Sequence, residues 1–314
     1  MLETRPFRFS VGPVNLAMWP AKLPEFARRL EALGYCAVNF GDHPSSRLLP
    51  PIAAMTAAAA ATTTLRVGTH TLANDYRHPV VLAKEVTTID QLSGGRVEFG
   101  IGAGWLADDY QSCGIDMAPT GRRIERLAES VEIFKRFCGG ERFSFSGEHY
   151  QISDLEPFPP SVQRPHIPVM IGGGRPRILS LAARVADIVG LNWNLADARL
   201  DTTDGPSGTR EVTREKVDLI RREAGDRFTE IELCLNVTRV AVSDEPSEII
   251  DELAVTHGLT RHEVRECPHF LIGNTEEIVE RLHRNRDEFG ISYIAVARDA
   301  VNDLAPVVRD LAGS

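Results

Sequence analysis

The sequence predicts an α/β chain folded as a (β/α)8 TIM barrel, a single unit over residues 1–314 with loop insertions at the C-terminal face. Three observations carry this reading. Short runs rich in Val, Ile and Phe alternate with longer stretches of helical period. About eight such units can be counted, the number that closes a barrel. The 314 residues, 43% hydrophobic and 25% charged, suffice for one large core.

The elements follow in order. Phe7 to Gly12 reads as the first strand, and the next helix sets Leu23, Phe26, Ala27, Leu30 and Leu33 on one face before Gly34 stops it. Tyr35 to Phe40 is the second strand. An alanine-rich helix, Ile52 to Ala61, leads to the third strand, Leu65 to Thr71. Pro79 opens a helix that runs out at Ser93-Gly94-Gly95, and Arg96 to Ile101 is the fourth strand. After a glycine-rich loop, Ile124, Leu127, Val131, Phe134 and Cys138 recur every three or four positions on a long helix.

Residues 141–167 interrupt the alternation. Phe143, Phe145, Tyr150 and Ile152 around Ser146-Gly147 predict a hairpin followed by a proline-rich connection. The last four strands are Pro168 to Ile171, Asp187 to Leu191, Ile231 to Val242 and Ile291 to Val296. Asn274 with Glu277 forms a capping-box start, and Gly290 closes that helix. Residues 200–210 and 243–272 fit no barrel element and are expected to be mobile loops over the mouth.

Several function classes drop out. The formal charge is 35 − 44 = −9, with both signs mixed along helical stretches, so nucleic acid is not an expected partner. No segment approaches a spanning helix, and Met1 to Ser10 lacks the apolar core of a secretory signal, so the expected location is the cytoplasm, away from membranes. Cys36, Cys113, Cys138, Cys234 and Cys267 are far apart with no Cys-x-x-Cys pair, and are expected to be reduced thiols. His257 and His262 are five apart and no His-Glu-x-x-His frame exists, so no metal site is expected. No Gly-x-Ser-x-Gly elbow occurs either, which points to a cofactor as carrier of the reaction.

In such a barrel the residues just past the strand ends converge on one face. This selects Asn15 and Trp19, Asp42 and His43, His70 and Thr71, Gly102-Ala103-Gly104-Trp105, Gly172-Gly173-Gly174-Arg175, and Asn192 with Trp193. Gly172 to Gly174 precede Pro176 at a helix start, where bare N–H groups and the helix dipole can hold phosphate, with Arg175 and Arg177 adding charge. The alternative is a tight turn needing positive φ. Gly102 to Gly104 lack the third glycine of a dinucleotide fingerprint, and the next helix begins much later. They would let a flat ring lie at the mouth with Trp105 as a wall, or simply form a structural loop. Asp42-His43 offers a titratable group for proton transfer, against a loop histidine bonded to backbone. His70 is either of this kind or packed between strands.

The run Arg77-His78-Pro79-Val80-Val81-Leu82-Ala83-Lys84-Glu85, continuing through Ile89-Asp90-Gln91-Leu92-Ser93-Gly94-Gly95-Arg96-Val97 into Gly100 to Trp105, resembles the luciferase-like monooxygenase family. The resemblance covers most of the chain. It implies a barrel that uses reduced flavin mononucleotide (FMN) or the deazaflavin coenzyme F420. It also implies that Asp42-His43 faces the reactive ring, that Gly172 to Gly174 is the phosphate loop, and that His70-Thr71 carries a non-prolyl cis peptide behind the ring. A homodimer is expected on the same ground. The family's deazaflavin-dependent sugar-phosphate dehydrogenase has glutamate where this chain has Trp105. That departure points to the broad reductase branch and an apolar or aromatic substrate held by Asn15, Trp19, Trp105 and Trp193.

The resulting expectation is an F420-dependent oxidoreductase in which His43 exchanges the proton and Asp42 orients it. The alternatives are an FMNH2-dependent monooxygenase using oxygen, and a non-catalytic barrel subunit.

Overall fold

The computed structural model describes residues 5–13, 20–195 and 203–314. Eight strands form one closed parallel sheet: β1 (Arg8–Val11), β2 (Ala37–Phe40), β3 (Arg66–Thr69), β4 (Val97–Gly102), β5 (Val169–Gly173), β6 (Ile188–Leu191), β7 (Glu232–Asn236) and β8 (Ile291–Val296). The order is β3-β2-β1-β8-β7-β6-β5-β4, and pairing of Val67 with Val97 joins β3 back to β4. Every sheet edge is thereby removed, which satisfies the backbone groups without a capping layer.

Strand alternation divides the apolar residues between two surfaces. Val189, Leu235 and Ile294 face the helices and belong to one continuous core with Leu30, Leu82 and Phe134. Their neighbours Ile188, Cys234 and Tyr293, with Met170 and Ala295, form a separate cluster on the other surface, the inside of the barrel. The helices are α1 (Leu23–Ala32), α2 (Pro51–Ala61), α3 (Pro79–Ser93), α4 (Ala107–Cys113), α5 (Thr120–Gly139), α6 (Pro176–Val185), α7 (Arg210–Ala224), α8 (Ser247–His257), α9 (Arg261–Glu266), α10 (Thr275–Phe289) and α11 (Val301–Leu311). α10 starts in the expected capping box, with Asn274 and Glu277 bonded reciprocally, and ends at Gly290 with φ +77°. The hairpin is also present, Phe143–Ser146 against Gln151–Leu155.

The structure corrects the expectation in three places. The seventh strand ends at Asn236 instead of Val242. Thr238 N–H turns to the carbonyl of His269, and Arg239–Val242 then pairs in parallel with Phe270–Gly273, outside the barrel. Residues 243–272 are therefore not a loop but this ladder plus α8 and α9, packed on a second core of Trp193, Ile250, Leu253, Val264 and Phe270. Of residues 200–210, 200–202 lie outside the described residues, Thr203–Asp204 pairs with Asn194–Leu195, and Gly205–Gly208 makes a 3-10 turn. Among the described residues no helix is long and apolar enough to cross a membrane.

Candidate functional site

β2 delivers Asp42 and His43 to the C-terminal rim, but the two side chains take different partners. Asp42 is buried, and Arg77 binds both its oxygens at 2.5 and 3.1 Å while the N–H of Ala73 donates to one at 3.1 Å. His43 instead places Nδ1 2.7 Å from Oδ2 of Asp109 and stands edge-on to Trp105, ring centres 5.5 Å apart at 81°. The expectation that Asp42 orients His43 is corrected: Asp42 is already spent on Arg77, and Asp109 is the carboxylate in reach.

Asp109 sits on α4, a seven-residue helix starting at Ala107, close behind the glycine loop instead of much later. Gly104 makes this possible, with φ +74° and no Cβ, since a Cβ there would stand 1.9 Å from the Tyr110 hydroxyl. Tyr110 in turn donates to Asp75 at 3.0 Å, as Arg126 does at 2.9 Å. Burial raises the Asp75 carboxyl, against the pull of Arg126, Tyr110 and Arg123.

At the end of β3 the His70-Thr71 peptide is cis. A Cβ on Gly102 would come within 2.8 Å of Thr71 Oγ1, so β3 and β4 meet closely at the rim. Burial pushes His70 down to about 4, so its ring is neutral at physiological pH, and its Nδ1 has no partner among the described residues. A Cβ on Gly172 would lie 3.9 Å from His70 Nε2 and 3.1 Å from Asn192 Nδ2, so β3, β5 and β6 also converge. Asn192 Oδ1 is another buried acceptor without a partner among the described residues.

The turn reading of Gly172 to Gly174 does not hold, because none of the three has positive φ. Contacts explain two of them: a Cβ on Gly173 would meet Ile178 at 2.3 Å, and one on Gly174 the Trp193 carbonyl at 2.6 Å. Beyond them α6 begins at Pro176 with no side-chain cap and no acid in its first turn. Arg175 is exposed there, and Arg177 leans on α5, bonded to Glu125 at 2.9 Å. Arg123, on the first turns of α5, is buried with Nε and Nη1 lacking partners among the described residues.

Trp193 turns away from the rim residues described above. It is 5% exposed, packed against His257, His269 and Phe270 in the second core, with Gly208 below its ring. Asn15 and Trp19 lie outside the described residues. The rim thus brings together His43 with Trp105, and His70 with Gly172. A cleft of about 540 Å³ lined by Arg122, Arg126 and His149 includes none of these residues. Asp109, Ser45, Tyr76, Arg77, Arg123 and Asn192 were not among the expected site residues or were named only as strand-end neighbours. The strand-end rule could reach Asn192, whereas nothing in the local sequence ties Asp109 to a histidine 66 positions earlier.

The family model described as luciferase-like monooxygenase matches residues 6–300. An uncharacterized protein of Mycobacterium tuberculosis is 35% identical over 147 residues, 46% of this chain and 51% of that protein. An F420-dependent glucose-6-phosphate dehydrogenase of Microbacterium testaceum is 27% identical over 194 residues, 59% of this chain and 56% of that one. An FMNH2-dependent dimethylsulfone monooxygenase of Pseudomonas putida is 31% identical over 116 residues, 37% of this chain and 32% of that one. The chain spans about half the length of the curated relatives it matches first. The same fold occurs in the coenzyme F420-dependent tetrahydromethanopterin reductase of Methanopyrus kandleri, with TM-score 0.77 at 16% identity over 98% of this chain and 99% of that one.

Proposed function

Because the chain belongs to the luciferase-like monooxygenase family, we propose that it is an F420-dependent oxidoreductase acting on a small, uncharged organic substrate. The observation that carries this reading is His43, a carboxylate-backed imidazole at the rim beside Trp105. Oxidising or reducing a C–O or C–C centre by hydride requires a proton to travel separately, and a histidine is suited to move it near neutral pH.

The residues fit a flavin-type cofactor. The uncapped start of α6, with Arg175 exposed beside it, suits a phosphate. The side chains of His70 and Asn192 both approach Gly172, and each keeps one buried polar atom, Nδ1 and Oδ1, without a partner among the described residues, which suits the hydrogen-bonding edge of a heterocycle. When bound, a deazaflavin supplies or accepts the hydride. Around it, Gly172 to Arg175 would hold the anionic end, and His70, Thr71 and Gly102 to Gly104 would back the ring. Trp105 would exclude water beside His43, which holds or releases the proton at Nε2. Trp105 supports an apolar or aromatic substrate; Trp193, turned into its own core, does not contribute to that choice.

The test is to titrate the purified protein separately with F420 and FMN by fluorescence, and then to follow oxygen during turnover. Micromolar F420 binding with no oxygen uptake is the expected result. Preferential FMN binding with oxygen consumption would establish the monooxygenase reading, and failure to bind either would make the barrel a non-catalytic subunit. The homodimer belongs to the same proposal, and light scattering on the eluted protein checks it.

A further inference from the structure

We propose that Asp109 is the positioning residue for His43, fixing its proton on Nδ1 and leaving Nε2 as the acceptor at the rim. This rests on the reading of His43 as the group that moves the substrate's proton. It identifies the residue that makes such a role possible.

Asp109 has no exposed surface. A carboxylate so buried costs several kcal/mol unless its lone pairs are filled and a countercharge is near. The lone pairs are filled unequally. Oδ1 accepts from the N–H of Ser45 at 3.1 Å and from its hydroxyl at 2.5 Å, Oδ2 lies 2.7 Å from His43 Nδ1, and the Tyr76 hydroxyl also hydrogen-bonds the carboxylate. No lysine or arginine pairs with Asp109 among the described residues, and its one ion-pair partner is the His43 ring. An imidazolium at His43, when the ring carries a second proton, would face this carboxylate directly.

A carboxylate serving only to tie down the 43–46 turn would need nothing beyond Ser45. The second oxygen and the ring geometry are not explained by that duty. Asp109 can only accept, so the hydrogen in the 2.7 Å contact belongs to Nδ1. The His43 side chain keeps 19% of its surface, and Nε2 has no partner among the described residues. Trp105, at right angles to the ring, limits its rotation.

The other ionisable groups around the pair are already committed. Asp42, next in the chain, is held by Arg77. Tyr76 lies against Asp109 with its hydroxyl pushed up, by burial first and by the Asp109 charge second, so it stays protonated. Tyr110, behind α4, is likewise pushed up by burial and by Asp75. His43 Nε2 is left as the basic nitrogen without a partner at this point of the rim, among the described residues. In the step it serves, the substrate O–H or N–H bond breaks, the proton forms N–H at Nε2, and the Nδ1 proton stays in its bond to Asp109.

The experiment is nitrogen-15 NMR of histidine-labelled protein, wild type and Asp109→Asn, with His43→Gln to assign the signals. In the wild type the His43 ring is expected to carry its proton on Nδ1 when neutral; a proton on Nε2 would overturn the proposal without need of any variant. Asp109→Asn should move the proton to Nε2, lower kcat about a thousandfold, and leave KM and the cofactor Kd within about threefold. An unchanged tautomer, or equal losses in kcat and cofactor affinity, would reduce Asp109 to a packing role. If the tautomer switches as expected in a protein that turns over with neither cofactor, the pairing stands and the reading of the enzyme falls.

Discussion

Arg77 holds both carboxylate oxygens of Asp42, at 2.5 and 3.1 Å, and thereby binds the turn after β2 to the segment that enters α3. Asp42 is 5% exposed, so its charge is compensated almost entirely by this guanidinium and one backbone N–H. Arg77→Met should cost about 3 kcal/mol in urea unfolding, because a buried carboxylate loses its countercharge. Asp42→Asn added to it should restore part of that loss. If the double variant is no more stable than the single one, the pair is not the source of the stability.

The same pair separates two roles that the sequence placed side by side. Asp42→Asn should lower kcat less than about tenfold, since it leaves the His43 to Asp109 contact intact, a cost within the range of an indirect effect. A loss as large as that of Asp109→Asn would return the orienting role to Asp42.

Much of the barrel was legible because each strand is a short apolar run between recognisable turns, and β8, Ile291–Val296, fell where those cues put it. β7 was drawn too long because alternation continues through Arg239–Val242, and only the change of partner at Thr238 separates the two ladders. α9, with 6 residues, is too short for a period to stand out, and in α8 the apolar stripe is blurred by adjacent Ile249 and Ile250 and by the exposed Val255. The site was half legible for a related reason. His43 and His70 are where strand ends put them, but a strand end does not say which way a side chain turns. Trp193 at β6 goes into a core while Trp105 at β4 borders the histidine, with nothing in either local sequence to tell them apart.

Gly172 and Gly173 should respond oppositely to alanine. At Gly173 the new Cβ would sit 2.3 Å from Ile178, an overpacked contact worth about 1–3 kcal/mol of stability. At Gly172 the nearest atom is the Asn192 amide at 3.1 Å, which can shift, so folding should change by less than about 1 kcal/mol. Cofactor affinity should nevertheless fall tenfold or more, because the Cβ enters the gap between His70 and Asn192. Thermal melts and cofactor titration of both variants check this, and unaltered affinity in Gly172→Ala would remove that gap from the site.

At the opposite end of the barrel, Glu98 is a structural counterpart to the rim. Arg8 bonds to it, Tyr293 donates at 2.8 Å and Arg66 Nε lies 2.8 Å away; Arg8 also reaches Glu232 at 2.6 Å. Burial opposes its charge, yet Arg8 and Arg66 hold the Glu98 carboxyl below its ordinary value. Arg8→Met should destabilise by about 3–5 kcal/mol while cofactor Kd stays unchanged, since conserving the rim does not depend on this end. A large change in Kd at unchanged stability would contradict the division.

Glu31 gives a pH signature free of the site. Its Oε1 accepts from the backbone N–H groups of Thr63, Thr64 and Leu65 at 2.8, 2.5 and 2.9 Å, and from the Thr64 hydroxyl at 2.8 Å. Burial pushes the carboxyl up, but these donors outweigh it and bring the group from its ordinary 4.5 down to about 2. A carboxyl whose folded value lies below its unfolded one binds protons more readily when unfolded. Its contribution is therefore complete above about pH 4.5 and is lost as pH falls toward 2. Glu31 is partly open to solvent, so that contribution is screened to about 1 kcal/mol. Glu31→Gln should lower stability by this amount at pH 7, and urea midpoints of the two proteins should draw together between pH 4.5 and 3. A gap that persists undiminished at pH 3 would mean that the three amides support the turn without favouring the charge.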